Sequence, residues 1–170
     1  MRHAVLSLAF AAVAAPALAD TMVGTRYTGE LLNRDGENVG SVSIFNTQSG
    51  VVRVNVAASG IPAGPHGIHV HETGVCEGDF TSAGGHIAGD AQHGLVEGGP
   101  HPGDLPNGFV EEDGAMNYEA FTERLDVDAM LGDEDGAALL IHSQADDYET
   151  QPSGDSGDRI ACAVLEAAAD

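Results

Sequence analysis

"TRYTGELLNRDGENVGSVSIFNTQSGVVRVNVAASGIPAG", residues 25–64, alternates apolar and polar side chains in short runs; Val52, Val54 and Val56, for example, are separated by Arg53 and Asn55. Successive residues of a strand point to opposite faces, so this period builds strands with one apolar face rather than a helix. The runs are broken at Asp35-Gly36 and Ser49-Gly50, dipeptides suited to tight hairpin turns, and the stretch reads as a β-meander. Further along, "AALLIHS" from Ala137 and "RIACAVLEA" from Arg159 read as two more strands. Residues 72–113, rich in Gly, Pro, Asp and His, read as long loops. "AMNYEAFTERLDVDAML", residues 115–131, fits both strand alternation and a short helix. The acids at Asp126, Asp128 and 133–135 lack the spacing of a calcium loop and read as a solvated turn. The fold class is all-β.

The first nineteen residues, "MRHAVLSLAFAAVAAPALA", combine a basic start, an apolar run from Ala4 to Ala15 and a small-residue ending, which is the pattern of a secretory signal cleaved after Ala19. The run is shorter than the roughly 20 residues needed to span a bilayer. Residues 20–170 then form one domain, expected to be soluble, exported and, in a bacterial cell, periplasmic. Six arginines, no lysine and 27 acidic residues give a formal charge of −21, and removal of Arg2 makes it −22. Nucleic acid and anionic membrane are therefore excluded as partners on electrostatic grounds. The two cysteines, Cys76 and Cys162, are an even count in an exported chain, which favours a disulfide.

Six of the eight histidines fall between residues 65 and 104. His69 and His71 are two apart in "GIHVH", so on a strand both imidazoles project from one face and can reach one ion. His86, His93, His101 and Asp104 follow on the loops, and His142 lies in the later apolar run, able to return to the first pair if the two strands share a sheet. An all-imidazole set suits copper, while three imidazoles with one carboxylate make an ordinary zinc shell. Two four-ligand sites sharing one bridging histidine require seven protein ligands, and these residues number seven, leaving only His66 of the mature histidines unassigned.

The motifs "HGIHVHE", "SAGGH", "HPGDLPN", "IHSQADDY" and "GDSGDRIAC", in this order, make the chain resemble the secreted bacterial Cu/Zn superoxide dismutases over nearly its whole mature length. The resemblance implies an eight-stranded antiparallel Greek-key β-barrel, a flattened sandwich with long metal-binding loops. It implies one copper per subunit on His69, His71, His86 and His142, and one zinc per subunit on His86, His93, His101 and Asp104. It also implies dismutation of superoxide to dioxygen and hydrogen peroxide at a redox-cycling copper, with zinc in a structural role. By the same resemblance His86 would bridge the metals and be a proton donor, and Arg159 would line the copper mouth and attract the anion. Asp146 would link a copper-ligand histidine to a zinc-ligand one, and His66 matches a non-ligand histidine beside the site. Cys76 and Cys162 match the intrasubunit disulfide. Members occur as monomers or homodimers.

This sequence departs from the family pattern in two places. Ile87-Ala88-Gly89 stands where an aromatic residue and Asn-Pro are usual, and the spacing from His86 to His93 is one residue short, so zinc-loop geometry is the open part of the resemblance. The loop from His142 to Cys162 carries no lysine, which leaves substrate attraction to Arg159 and the copper charge. The alternative reading is a non-enzymatic exported copper/zinc-binding protein, which would need the histidines but neither Arg159 nor Asp146. An immunoglobulin-like adhesive sandwich would need none of them.

Overall fold

A computed structural model describes residues 22–169; the expected signal segment lies outside the described residues. The meander forms as the alternation requires. β1 (Met22–Asn33), β2 (Asn38–Thr47) and β3 (Val52–Ala58) pair antiparallel through turns at Gly36 and Gly50, both at positive φ. Val42, Ile44, Val54 and Val56 face inward from paired positions and are almost wholly buried. Phe45 points the other way, yet it is buried too, because the guanidinium of Arg26 lies 4.4 Å from its ring centroid and that of Arg53 lies 5.9 Å away.

β4 (Gly64–His66) and β5 (Ile68–His71) are one extended run divided at Gly67. Before the division it pairs with β6 (Gly108–Val110), and after it with β8 (Ala137–His142). This division explains why nine strands are found among the described residues where eight were expected: one strand changes partners midway and is counted twice. β7 (Met116–Thr122) follows β6 through a turn closed by Gly114 N–H to the Glu111 carbonyl, and returns to pair with β3. β9 (Arg159–Ala167) joins β8 to β1, giving a curled seven-stranded antiparallel sheet in the order β5-β8-β9-β1-β2-β3-β7, which the β4-β6 pair closes. The return of β7 to β3 after the excursion through β4–β6 is the Greek-key connection.

Leu31, Ile44, Val54, Ile68, Val70, Leu139 and Ile141 show no exposed surface and form the barrel core. Each such side chain stabilises the fold by about 1.5–3 kcal/mol relative to leaving it in water. The ambiguous stretch 115–131 contains both elements in succession: β7, then the short helix α1 (Val127–Leu131). Asp126 ends the ambiguity locally, because its side chain accepts the Ala129 N–H at 3.1 Å and caps the helix. Asp133 likewise accepts from Gly136 N–H, so these acids serve turn structure.

Opposite the core, Ala138 and Leu140 of β8 pack with Phe80, Ala83 and Cys162 in a second apolar cluster beneath the loop that follows β5. The Cys76–Cys162 disulfide fastens that loop to β9 across 86 residues. In the chain-entropy account a bridge over so long a loop contributes about 4 to 5 kcal/mol, at the upper end of what disulfides deliver.

Candidate metal centre

Strand parity delivers the first imidazoles. Ile68 and Val70 of β5 point into the core, so His69 and His71 point outward beneath the long loops. On β8, Leu139 and Ile141 take the core side and His142 the outer side with Leu140, the residue paired with His69. The loop after β5 brings His86 alongside through a bridge to His71, and brings Asp104 alongside through a bridge to His69. Two ligand groups result. His69, His71, His86 and His142 place their donor atoms within 4.8 Å of one another, and so do His86, His93, His101 and Asp104. All seven residues expected as ligands are brought together, with His86 common to both groups.

The hydrogen bonds dictate which nitrogen of each ring stays free. His69 Nε2–H donates to Asp146 Oδ2 at 2.7 Å, His71 Nδ1–H to the Gly84 carbonyl at 3.0 Å, and His142 Nδ1–H to the Gly157 carbonyl at 3.3 Å. His93 Nε2–H donates to Asp146 Oδ1 at 3.0 Å. The other nitrogens of these rings, His69 Nδ1, His71 Nε2, His142 Nε2 and His93 Nδ1, are buried with no hydrogen-bond partner among the described residues, as is His86 Nε2. Buried polar atoms are ordinarily paired. Five bare ring nitrogens, four in the first group and one in the second, make donor sets that suit cations, so the residues fit a pair of metal ions.

His86 offers a different nitrogen to each group. Its Nε2 is free toward the first group, while its Nδ1 lies 2.8 Å from Asp104 Oδ1 in the second. His93 Nδ1 lies 3.1 Å from Asp104 Oδ2, close enough for an ion pair but without hydrogen-bond alignment. With the His93 proton on Nε2, that contact sets a lone pair against a carboxylate, an arrangement that a cation between them would turn attractive.

Burial keeps three of these rings, His71, His86 and His142, unprotonated. It is the main cause that lowers the pKa of His71 to about 2, of His142 to about 3 and of His86 to about 4. Protons therefore do not compete for the free nitrogens of His71, His86 and His142 at neutral pH. For Asp104, burial acts to raise the pKa, but bonds from His86 and the Gly94 N–H outweigh it and hold the carboxyl well below the usual range. Asp146 is held low in the same way, against burial, by His69, the Tyr148 N–H and His93. It thus ties one residue of each group to a single carboxylate, as expected.

A pH dependence follows. In the folded chain burial holds His71, His86 and His142 down at about 2, 4 and 3 against an ordinary value of 6.5, so below 6.5 the unfolded chain takes up protons at these three that the folded chain refuses. The metal-free protein is expected to lose stability steadily as pH falls from about 6.5 toward 4, read as its thermal midpoint. A flat midpoint across that window would contradict the burial account.

Arg159 opens β9 opposite His142. Its Nη1 donates to the Phe80 carbonyl at 2.6 Å and its Nη2 to the Gly84 carbonyl at 2.7 Å, the same carbonyl that accepts from His71. Its charge is among the causes that depress His71 and His142. His66 joins neither group: its Nδ1 is 2.6 Å from the His142 carbonyl and its Nε2 2.7 Å from that of Pro62, so it props the backbone of a ligand.

Sequence reasoning did not single out three residues that hold the loops together. The Asn107 carboxamide pairs with both backbone groups of Asp146, at 2.9 and 2.8 Å. Tyr148 accepts the Asn107 N–H at its hydroxyl and the Leu95 N–H at its carbonyl. Gln151 grips the backbone of His93. These are contacts between loops, which leave no period in a sequence. Gly154 has a visible reason: at φ 68° it packs against Asp146 and His93 so closely that a Cβ would strike both.

An antiparallel barrel carrying two adjoining nitrogen-rich ligand groups, one all-imidazole and one with a carboxylate, joined through a shared histidine, defines a dinuclear metal-binding protein suited to two unlike cations. Comparison with known proteins narrows the class. Residues 38–165 match the family described as copper/zinc superoxide dismutase (SODC). The chain is 38% identical over 144 residues to Cu-Zn superoxide dismutase 2 of Aquifex aeolicus (strain VF5), covering 80% of this chain and 84% of that protein. It is 36% identical over 140 residues to the Cu-Zn superoxide dismutase of Caulobacter vibrioides (strain ATCC 19089 / CIP 103742 / CB 15), covering 77% and 80% respectively. Among solved structures, a superoxide dismutase-like protein from Bacillus subtilis superposes with a TM-score of 0.75 at 36% identity, covering 84% of this chain and all of that one (100%). The chain belongs to the copper/zinc superoxide dismutase family. Its cofactors are copper and zinc and its substrate is superoxide.

Proposed function

We propose that copper is held by His69, His71, His86 and His142, that zinc is held by His86, His93, His101 and Asp104, and that superoxide is dismuted at the first group. The observation that carries this reading is the set of five buried, unpartnered ring nitrogens, four of which belong to the all-imidazole group. Bound copper supplies one-electron chemistry that interconverts superoxide with dioxygen and with hydrogen peroxide, and zinc, without a redox step, supplies rigidity.

The chain's own residues do the rest. Asp146 and the Gly84 and Gly157 carbonyls fix the tautomers that expose the ligating nitrogens. Arg159, locked to two carbonyls, places a fixed positive charge beside His71 and His142, where an approaching anion is attracted. His86 Nε2 is positioned to take up a proton and pass it to the reduced product.

The protein acts as an exported, periplasmic enzyme after cleavage behind Ala19, with residues 20–170 forming the enzyme domain; the secretory pattern of residues 1–19 supports this. It is a monomer or homodimer, and its charge of −22 after cleavage argues against nucleic acid or anionic membrane as partners. No helix among the described residues is long and apolar enough to cross a membrane. Anomalous diffraction at the copper and zinc edges from a metal-loaded crystal tests the assignment. Copper is expected among His69, His71, His86 and His142, with zinc beside Asp104, and the reverse arrangement would overturn it.

A further inference from the structure

His93 is wholly buried and lies in a stretch with no strand or helix of its own, so its backbone must be fixed by something else. We infer that Gln151 is a positioning residue for the second ligand group, acting through the main chain of His93; the inference rests on the reading of that group as the zinc site. The His93 N–H donates to Gln151 Oε1 at 2.8 Å, and Gln151 Nε2 donates to the His93 carbonyl at 2.8 Å. One carboxamide thus satisfies both backbone groups of the ligand residue, as a neighbouring strand would. Only one orientation of the amide makes both bonds.

The clamp is itself held firmly. The turn bearing Gln151 is closed by Asp147 N–H to the Gly154 carbonyl at 2.9 Å and by Gly154 N–H to the Thr150 carbonyl at 2.7 Å. Asp147 accepts from the Thr150 backbone N–H and hydroxyl, at 2.8 and 2.6 Å, and Gln151 Nε2 also reaches the Glu149 carbonyl at 3.1 Å. On the other side, Leu95 N–H donates to the Tyr148 carbonyl at 2.7 Å, so the two loops are joined on both flanks of the clamp. Gly94, at φ 77°, allows this closeness, since a Cβ there would collide with the Tyr148 carbonyl.

The clamp and the ring contacts divide the work. Asp146 aims the imidazole through Nε2, and Gln151 sets where along the loop that imidazole starts. With the Gln151 carboxamide removed, the His93 backbone loses both of its partners on that residue, and Nδ1 is no longer held at its place beside Asp104. Groups that orient metal ligands typically govern metal affinity by 10- to 100-fold. The effect belongs to the second group: the side-chain hydrogen bonds of Gln151 run to His93 and Glu149, neither of which is in the first.

Copper-loaded protein titrated with Co(II), in competition with a chromophoric chelator, reads the second group through its ligand-field bands. Gln151→Met removes both bonds at similar volume without adding charge and is expected to weaken Co(II) binding roughly tenfold and to shift the bands. Gln151→Glu still accepts from the His93 N–H but sets an oxygen against its carbonyl, so its affinity is expected between those of Met and Gln. The thermal midpoint of the metal-free protein is expected to fall by no more than a few degrees in the variants, so that lost Co(II) affinity is not lost folding. Wild-type affinity and bands in Gln151→Met would overturn the inference, as would a lowered metal-free midpoint with unchanged affinity. A His93→Ala control that also left Co(II) binding unchanged would overturn the zinc reading itself, and the inference with it.

Discussion

His71→Ala is expected to abolish superoxide dismutation, by roughly a hundredfold or more per protein, while the chain stays folded and keeps zinc. His71 contributes a bare Nε2 to the first group only, so its removal takes away one proposed copper ligand and leaves the second group complete. The fold should survive the loss. The Gly84 carbonyl that His71 engages also accepts from Arg159 at 2.7 Å and is not left unpaired. The apolar core lies on the other face of β5, behind Ile68 and Val70. Alanine still leaves a cavity where a fully buried imidazole stood, at a cost of a few kcal/mol, about what a large-to-small change in a core entails. Turnover, zinc content and thermal midpoint measured on one preparation check the expectation. Near-normal turnover would remove His71 from the copper set.

The second large effect concerns Arg159. Its charge should accelerate capture of the anion, so Arg159→Glu is expected to lower kcat/KM by about 10-fold or more, while Arg159→Lys, which keeps the charge but loses the two-carbonyl fork, loses only a few-fold. Salt dependence separates the local charge from the acidic surface. With a net charge of −22 and no lysine beside the site, the anion meets repulsion at long range. At about 0.15 M salt the Debye length is about 8 Å, enough to screen distant carboxylates while sparing the last few ångströms of attraction. The wild-type rate should hold level or rise with salt, and that of Arg159→Glu should rise more steeply. Equal rates for the Glu and Lys variants would show that Arg159 serves structure alone.

What could be read from the sequence is what repeats or matches a motif. The hairpins at Asp35-Gly36 and Ser49-Gly50 follow from alternation and turn chemistry, and His69 and His71 share a face because a strand has a period of two. The family motifs extended this to His86, His93, His101, Asp104, Asp146 and Arg159, and the structure gathers all of them. The division of one strand at Gly67 was not legible, because a change of partner leaves the side-chain pattern intact. Residues 115–131 were ambiguous because the apolar spacing suits either element, and a cap at Asp126 decides it. Asn107, Tyr148 and Gln151 escaped because loop-to-loop contacts depend on the folded path of both segments.

The shortened spacing from His86 to His93 shows why ligand geometry is read from structure. Despite Ile87-Ala88-Gly89, His93 reaches the second group, with its ring held by Asp146 and its backbone by Gln151. Distance along the chain mattered less than what the loop is tied to.

The proposed seat of superoxide dismutation is a copper site formed by His69, His71, His86 and His142. This assignment is tested most directly by measuring metal content and superoxide decay on one purified sample, with copper and zinc loaded in varied proportions. Dismutation is expected to rise in proportion to bound copper and to be absent from protein holding zinc alone. Full copper occupancy without dismutation would contradict the account and leave a protein that only binds the metal.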